Sequence, residues 1–177
     1  MASASTAFVG PTTRGPVGCP TLRTSWEEYE QLFGSHTDPQ VSFLSYAVKG
    51  FENGGKRAYI VRVVSPCSSL ASARFASPDG EEVVFRAITP GVWGNSLRVR
   101  LEPDARVDLR ILVLRDRADQ LPELLEDYDN LSFDPNHSNY FLAEFNNQSE
   151  YLRAEAGSRS RVSSVPRLSL LRSPRRT

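Results

Sequence analysis

The chain has 177 residues, room for one domain, or for one domain with a small appended piece, and for a sizeable apolar core. Its 40% hydrophobic and 24% charged residues are ordinary for a globular protein, and no run of about 18 apolar residues is present to span a membrane. The formal net charge is zero, but six of the 21 basic residues and none of the 21 acidic ones lie from Gly157 onward, so the first 156 residues carry −6. This pattern predicts a mildly acidic body with a basic tail. Cys19 and Cys67 are too few and too far apart for a disulfide framework and read as free thiols. The opening Met-Ala-Ser-Ala-Ser-Thr lacks the basic and apolar regions of a signal peptide.

In chain order, Thr6 to Gly10 is a short apolar run closed by Gly-Pro and reads as a buried strand entering a turn. Pro11 to Pro20 reads as loop, and Thr21 to Thr24 as a short strand. Ser25 with Glu28 three residues on is a capping box that opens a helix through Phe33, with Trp26, Tyr29 and Phe33 on one face and Gly34 as the stop. A second helix is predicted from Val41 to Asn53, its apolar face made of Phe43, Leu44, Ala47, Val48 and Phe51, with Gly54-Gly55 as a left-handed cap. Ala58 to Val64 is β-branched and nearly continuous, which predicts a strand buried on both faces.

The period changes after Pro66. Ser65 to Ser72 is a small-residue linker, Glu82 to Ile88 a strand, and Ser96 to Leu101 with Val107 to Leu114 an antiparallel hairpin whose outward positions carry Arg98, Arg100, Asp108 and Arg110. Leu121, Leu124, Leu125 and Tyr128 fit a short helix, and so does His137 to Asn147, with Tyr140, Phe141 and Phe145 as apolar contacts. The Ser- and Arg-rich stretch 157–177 has too little apolar content to bury and reads as disordered. The fold class expected is α+β: a partial α/β body over 1–66, a small β-sandwich-like piece over 67–156, and a disordered tail over 157–177.

Residues that could carry chemistry are sparse. Gly10 to Gly15 lacks the Gly-Lys-Ser/Thr ending of a phosphate loop and places a proline where N–H donors would be needed, so it reads as a turn. His36 and His137 stand 101 positions apart in polar surroundings and read as surface histidines. Cys19, between Gly18 and Pro20, has no helix N-terminus to activate it for work with His36. Glu123, Glu126, Asp127 and Asp129 form an acidic cluster that reads first as a solvated face, with hydrolase work as the competing reading. The basic tail has no aromatic residues for stacking on single-stranded nucleic acid. No cofactor, metal or small-molecule substrate is expected, and a β-rich surface-binding or adhesion module remains an alternative reading.

Two segments are more specific. Leu44 to Val63 runs a helix into Phe51-Glu52-Asn53-Gly54-Gly55, turns through Arg57, and enters Tyr59-Ile60-Val61-Arg62-Val63. Thr89 to Val99 contains Pro90-Gly91-Val92-Trp93-Gly94-Asn95 followed by an arginine-bearing strand. With the opening Thr6 to Pro16 and the Thr24 to Gly34 helix, and with weaker matches at Asn130 to Ser132, Asn146 and Ser149, these resemble the phage tail sheath family, which includes the sheaths of contractile injection systems. The resemblance spans roughly residues 5–155 in the family's order.

The resemblance implies a structural protein, not an enzyme, that assembles in the bacterial cytoplasm and ends in a phage tail or injection particle. Its implied partners are other sheath subunits and the tail tube, with no specific nucleic acid. It also implies an α/β body, an outward β-sandwich with Trp93 over its end, and motif residues that act as structure. Family members have an extended arm before the first strand and a further body and C-terminal domain, so the expectation from the resemblance is a truncated subunit.

Overall fold

In the computed structural model, which describes residues 5–76, 82–103, 109–118 and 120–157, the chain folds as two units. One runs to Ser69 and includes Thr89–Trp93; the other holds Leu70–Ile88 and Gly94 onward. The segment Thr89–Trp93, expected in the β-rich piece, thus returns to the first unit.

In the first unit, Ser25 starts α1 (Trp26–Phe33), its side chain accepting the Glu28 N–H at 3.2 Å. The return bond falls one residue earlier than a capping box requires: the Glu28 carboxylate accepts from the N–H and hydroxyl of Thr24. These bonds hold the Glu28 carboxyl below its usual range. Gly34 closes the helix at φ 84°, a conformation that favours glycine, and a Cβ there would meet Thr13. Trp26, Tyr29 and Phe33 are buried on the spacing the sequence predicts.

The second helix is shorter than predicted. α2 is Leu44–Phe51. Leu44 and Val48 join the core, with Phe51 packed against it. Phe43 and Ala47, expected on the inner face, are exposed.

The left-handed cap at Gly54-Gly55 is absent: Glu52 is right-handed, and the described glycines with positive φ are Gly15, Gly18, Gly34 and Gly91. The chain instead leaves the helix through a tight turn in which the N–H groups of Gly54 and Gly55 both donate to the Phe51 carbonyl. Gly55 is required by space, since a Cβ would stand 2.1 Å from Phe51 Cζ, whereas Gly54 faces nothing within 4 Å. Gly55→Ala is therefore expected to push the Phe51 ring out of its edge contact with Phe8 and cost about 1–3 kcal/mol. Gly54→Ala should stay within about 0.5 kcal/mol. Denaturant melts of the two variants check this, and equal losses would contradict the turn.

β1 (Ser5–Gly10), β2 (Thr21–Arg23) and β3 (Arg57–Arg62) form the sheet of this unit in the order β1-β3-β2, with β1 parallel and β2 antiparallel to β3. Only one face is buried. Ala58, Ile60 and Arg62 point inward while Arg57 and Tyr59 are exposed, so β3 alternates and is not covered on both sides as its composition predicts. β1 likewise is half-exposed, with Val9 outward. The core joins Ala58 and Ile60 to the inner faces of α1 and α2.

The second unit contains two three-stranded antiparallel sheets among the described residues. β4 (Ser72–Ala76), β5 (Glu82–Ala87) and β9 (Leu152–Ala156) form one, in the order β4-β5-β9; β6 (Leu97–Pro103), β7 (Leu109–Arg115) and β8 (Glu123–Leu131) form the other, in chain order. The predicted hairpin is β6-β7. The segment that fits a helix by its leucines is strand β8, because Arg110 and Arg115 of β7 bring Asp127 and Glu123 alongside as ion partners. α3 (Phe141–Gln148) starts later than predicted, after a turn at His137–Tyr140. The architecture is α+β. The tail expected to be disordered lies outside the described residues, apart from Gly157, whose N–H donates to the Glu82 carbonyl.

Candidate functional site

The sequence motifs meet at Arg62. β3 is the central strand of its sheet, and alternation points residue 62 inward beside Ile60. An arginine there must find acceptors, because an unpaired buried charge is expensive. Arg62 is 2% exposed, and its guanidinium donates to the carbonyls of Gly15 at 2.8 Å, Pro90 at 2.6 Å and, at 3.4 Å, Thr13. Its Nε has no hydrogen-bond partner among the described residues. Burial pulls its pKa down from the ordinary value. Three backbone dipoles replace a carboxylate partner.

The backbone around Arg62 is held as tightly. Gly18 donates to the Arg62 carbonyl at 2.9 Å, Val63 to Gly10 at 3.0 Å, and Arg14 to Phe33 at 3.1 Å. The loop 11–20, strand β3 and the returning segment 89–93 therefore converge on one side chain. Gly91 sits at φ 138°, and a Cβ there would lie about 3 Å from the Arg62 guanidinium, the Trp93 ring and the Thr13 carbonyl. Glycine is needed for both conformation and space.

The other motif residues do not join this cluster. Asn53 and Gly54 lie exposed in the turn after α2, with Gly55 against Phe51. Arg57 and Tyr59 occupy the outer face of the sheet. Trp93 stands beside Gly91 in the first unit, not over the end of the β-rich piece. Gly94 belongs to the second unit, where a Cβ would meet Ala71 and Ala87, and Asn95 is exposed.

The acidic cluster is engaged in structure. Glu123 pairs with Arg115 and Arg117, and Asp127 with Arg110, which holds its carboxyl below the usual range. Glu126 accepts from the Ser149 hydroxyl at 2.8 Å and the Glu150 N–H at 2.7 Å, tying β8 to the turn between α3 and β9. Beside it the Asn146 amide pairs with both backbone groups of Ala154, at 2.8 and 2.7 Å, as a neighbouring strand would. These roles for Glu126 and Asn146 carry no local signal, since their partners are 8 to 24 residues away.

His36 stacks between the rings of Trp26 and Tyr46, with centroids at 4.7 and 4.5 Å. His137 accepts the Asn139 N–H within its own turn. Cys19 and Cys67 are free and exposed. Among the described residues no group of three or more His, Cys, Asp or Glu is arranged to hold a metal, and no helix is long and apolar enough to cross a membrane.

No protein-family model matches the chain, and no curated protein does. Solved structures do. A sheath tail protein from Listeria innocua matches 91% of the chain with a TM-score of 0.62 at 15% identity. A sheath tail protein from Desulfitobacterium hafniense matches 92% with a TM-score of 0.55 at 10% identity. The chain spans about a third of the length of each, 32% and 34%. Its fold is tail sheath-like.

Proposed function

We propose that the chain serves as part of a sheath-type structural subunit, without catalytic chemistry, that packs against copies of itself around the tube of a contractile phage tail or injection system. Assembly would take place in the bacterial cytoplasm, and the product would reside in the particle. The observation that carries this reading is the sheath-like fold over more than nine-tenths of the chain. The Arg62 cluster supports it, because the most specific residues of the sequence serve to join backbone segments and are closed to any substrate. A surface-binding module gains nothing comparable: the exposed large apolar side chains described in the second unit are Leu70, Ile88, Leu121 and Leu124, none aromatic.

The test is particle composition. Contractile particles are purified from producing cells, and peptides of this chain are quantified by mass spectrometry against the tube protein. The expected result is co-purification in a fixed ratio to the tube. A chain that fractionates wholly away from the particles would overturn the reading.

A further inference from the structure

Two apolar surfaces on opposite sides of the first unit are left unused by its packing. One is the outer face of the sheet. The strand register places Ala7, Tyr59 and Leu22 in one row across β1, β3 and β2, with Val9 beside Val61 in the next. Val9 is 66% exposed, and Tyr59 and Leu22 are each 38% exposed. Charge enters this face at one end, where Arg57 stands opposite Ser5.

The other surface is the outer side of α2 and the residue before it. Phe43, Tyr46, Ala47 and Gly50 fall at i, i+3, i+4 and i+7, so they share one stripe. All four are exposed, Phe43 by 70% and Tyr46 by 42%. The stripe carries no charge. Leu44 and Val48, on the other side of the helix, lie in the core with Ile60, so stripe and open sheet face point in opposite directions through the thickness of the unit.

Parallel strand pairs occur almost only in sheets with helices on both faces. β1 and β3 are a parallel pair, and the described helices α1 and α2 cover one face of their sheet. The missing element is a helix with an apolar stripe, and the same unit displays one outward.

We propose that these surfaces are the two halves of one contact between copies: the α2 stripe of one copy lies on the open sheet face of the next. The proposal rests on the sheath-type reading and names the surfaces that serve it. Because the two halves differ, the contact is heterologous and repeats from copy to copy without closing on a pair. Neither half sets like charges against each other. Three strands about 4.8 Å apart and five residues at about 3.3 Å each give a face of roughly 240 Å². A stable pair commits about 800 Å² on each side, so one such contact is weak and counts through repetition in an array.

Sedimentation velocity of the full chain over a wide concentration range tests this. Tyr59→Glu charges the sheet face, and Phe43→Asp charges the stripe. Both side chains are exposed, and Phe43 occupies the N-cap position of α2, where Asp is a favoured residue. Val9→Glu is a second sheet-face variant should Tyr59→Glu lose its fold by circular dichroism. Acids on both disabled surfaces keep them from attracting each other. The wild type is expected to grow with concentration past the dimer. Each variant alone should need at least about tenfold more protein to associate, as burial of an unpaired charge demands. An equimolar mixture of one sheet-face variant with Phe43→Asp retains one intact pairing and should form 1:1 dimers that grow no further. A wild type that stays monomeric throughout, variants that associate like it, or a mixture that stays monomeric would each overturn the contact. Such a failure, with the chain still found in purified particles, would sink the contact and spare the sheath-type reading; absence from particles with the association intact would do the reverse.

Discussion

Arg62→Ala is expected to destabilise the first unit by about 3–5 kcal/mol, among the largest effects of any single substitution in it. Two costs combine. The substitution empties a volume that is 2% exposed, and a buried cavity is not refilled by relaxation. It also strips the Gly15, Pro90 and Thr13 carbonyls of their donor, at about 1–3 kcal/mol for each acceptor left dry. Two graded variants separate these costs. Arg62→Met fills most of the space and leaves the carbonyls unpaired, so it should lose about 2–4 kcal/mol. Arg62→Lys retains a donor but lacks the planar fork that spans two acceptors, and should fall between Met and wild type. Both tryptophans, Trp26 and Trp93, lie in the first unit, so a tryptophan-detected denaturant melt reports on it directly. The opposite result is also informative. A buried charge without a carboxylate is costly to keep, and replacing it with an apolar side chain can stabilise a protein. An Arg62→Met variant as stable as wild type would mean that the carbonyls find water and that the guanidinium contributes no net stability.

Arg62 also marks how far the sequence could be read. Its place in a strand was legible from Tyr59 to Val63, but a strand arginine next to β-branched residues reads as exposed. Its acceptors come from positions 13, 15 and 90, and no local pattern links them. α1 was legible because cap, face and stop are all local: Ser25, the 26/29/33 spacing and Gly34. The β6-β7 hairpin was legible because one face is buried and the alternation survives. β8 was misread because Leu121, Leu124, Leu125 and Tyr128 satisfy a helical period, while the pairing with β7 that decides the outcome is a tertiary event. β4 and β9 left no signal: Ser-Ala-Arg-Phe-Ala and Leu-Arg-Ala-Glu-Ala have little β preference and are strands because β5 lies between them. At Gly54-Gly55 the glycines were noticed and the reason misassigned, since close approach of Phe51 to Gly55 produces the same residue preference as a left-handed cap.

The second large effect is expected at Phe145. Its ring is fully buried and makes edge contacts with Phe85 of β5 at 5.3 Å and Tyr128 of β8 at 5.1 Å, so one helix side chain packs against both sheets of the second unit. The flanking bonds hold it in place: Asn146 to Ala154 on β9, and Glu126 of β8 to Ser149 at the helix end. Phe145→Ala removes the ring from between strands that these bonds keep apart, so the cavity cannot collapse and the cost should be about 3–5 kcal/mol. Phe145→Leu should cost about 1–2 kcal/mol, keeping most of the volume and losing the two ring contacts. Hydrogen exchange of the β5 and β8 amides reads this out, with faster exchange expected in both strands. A second readout is specific to the packing. Burial, then the nearby Glu126 charge, pushes the Tyr128 hydroxyl up to about 12. A folded pKa above the unfolded value near 10 contributes stability that is fully present below pH 10 and lost as pH rises toward 12. Opening the cavity admits water to Tyr128, so in Phe145→Ala its titration should move back toward 10 and that part of the alkaline stability loss should shrink. Ultraviolet titration of tyrosinate follows the shift, and Tyr29, pushed up to about 12 by burial in the first unit, is the internal reference. If Tyr128 keeps its high pKa and only β5 loses protection, Phe145 supports one sheet and not the pair.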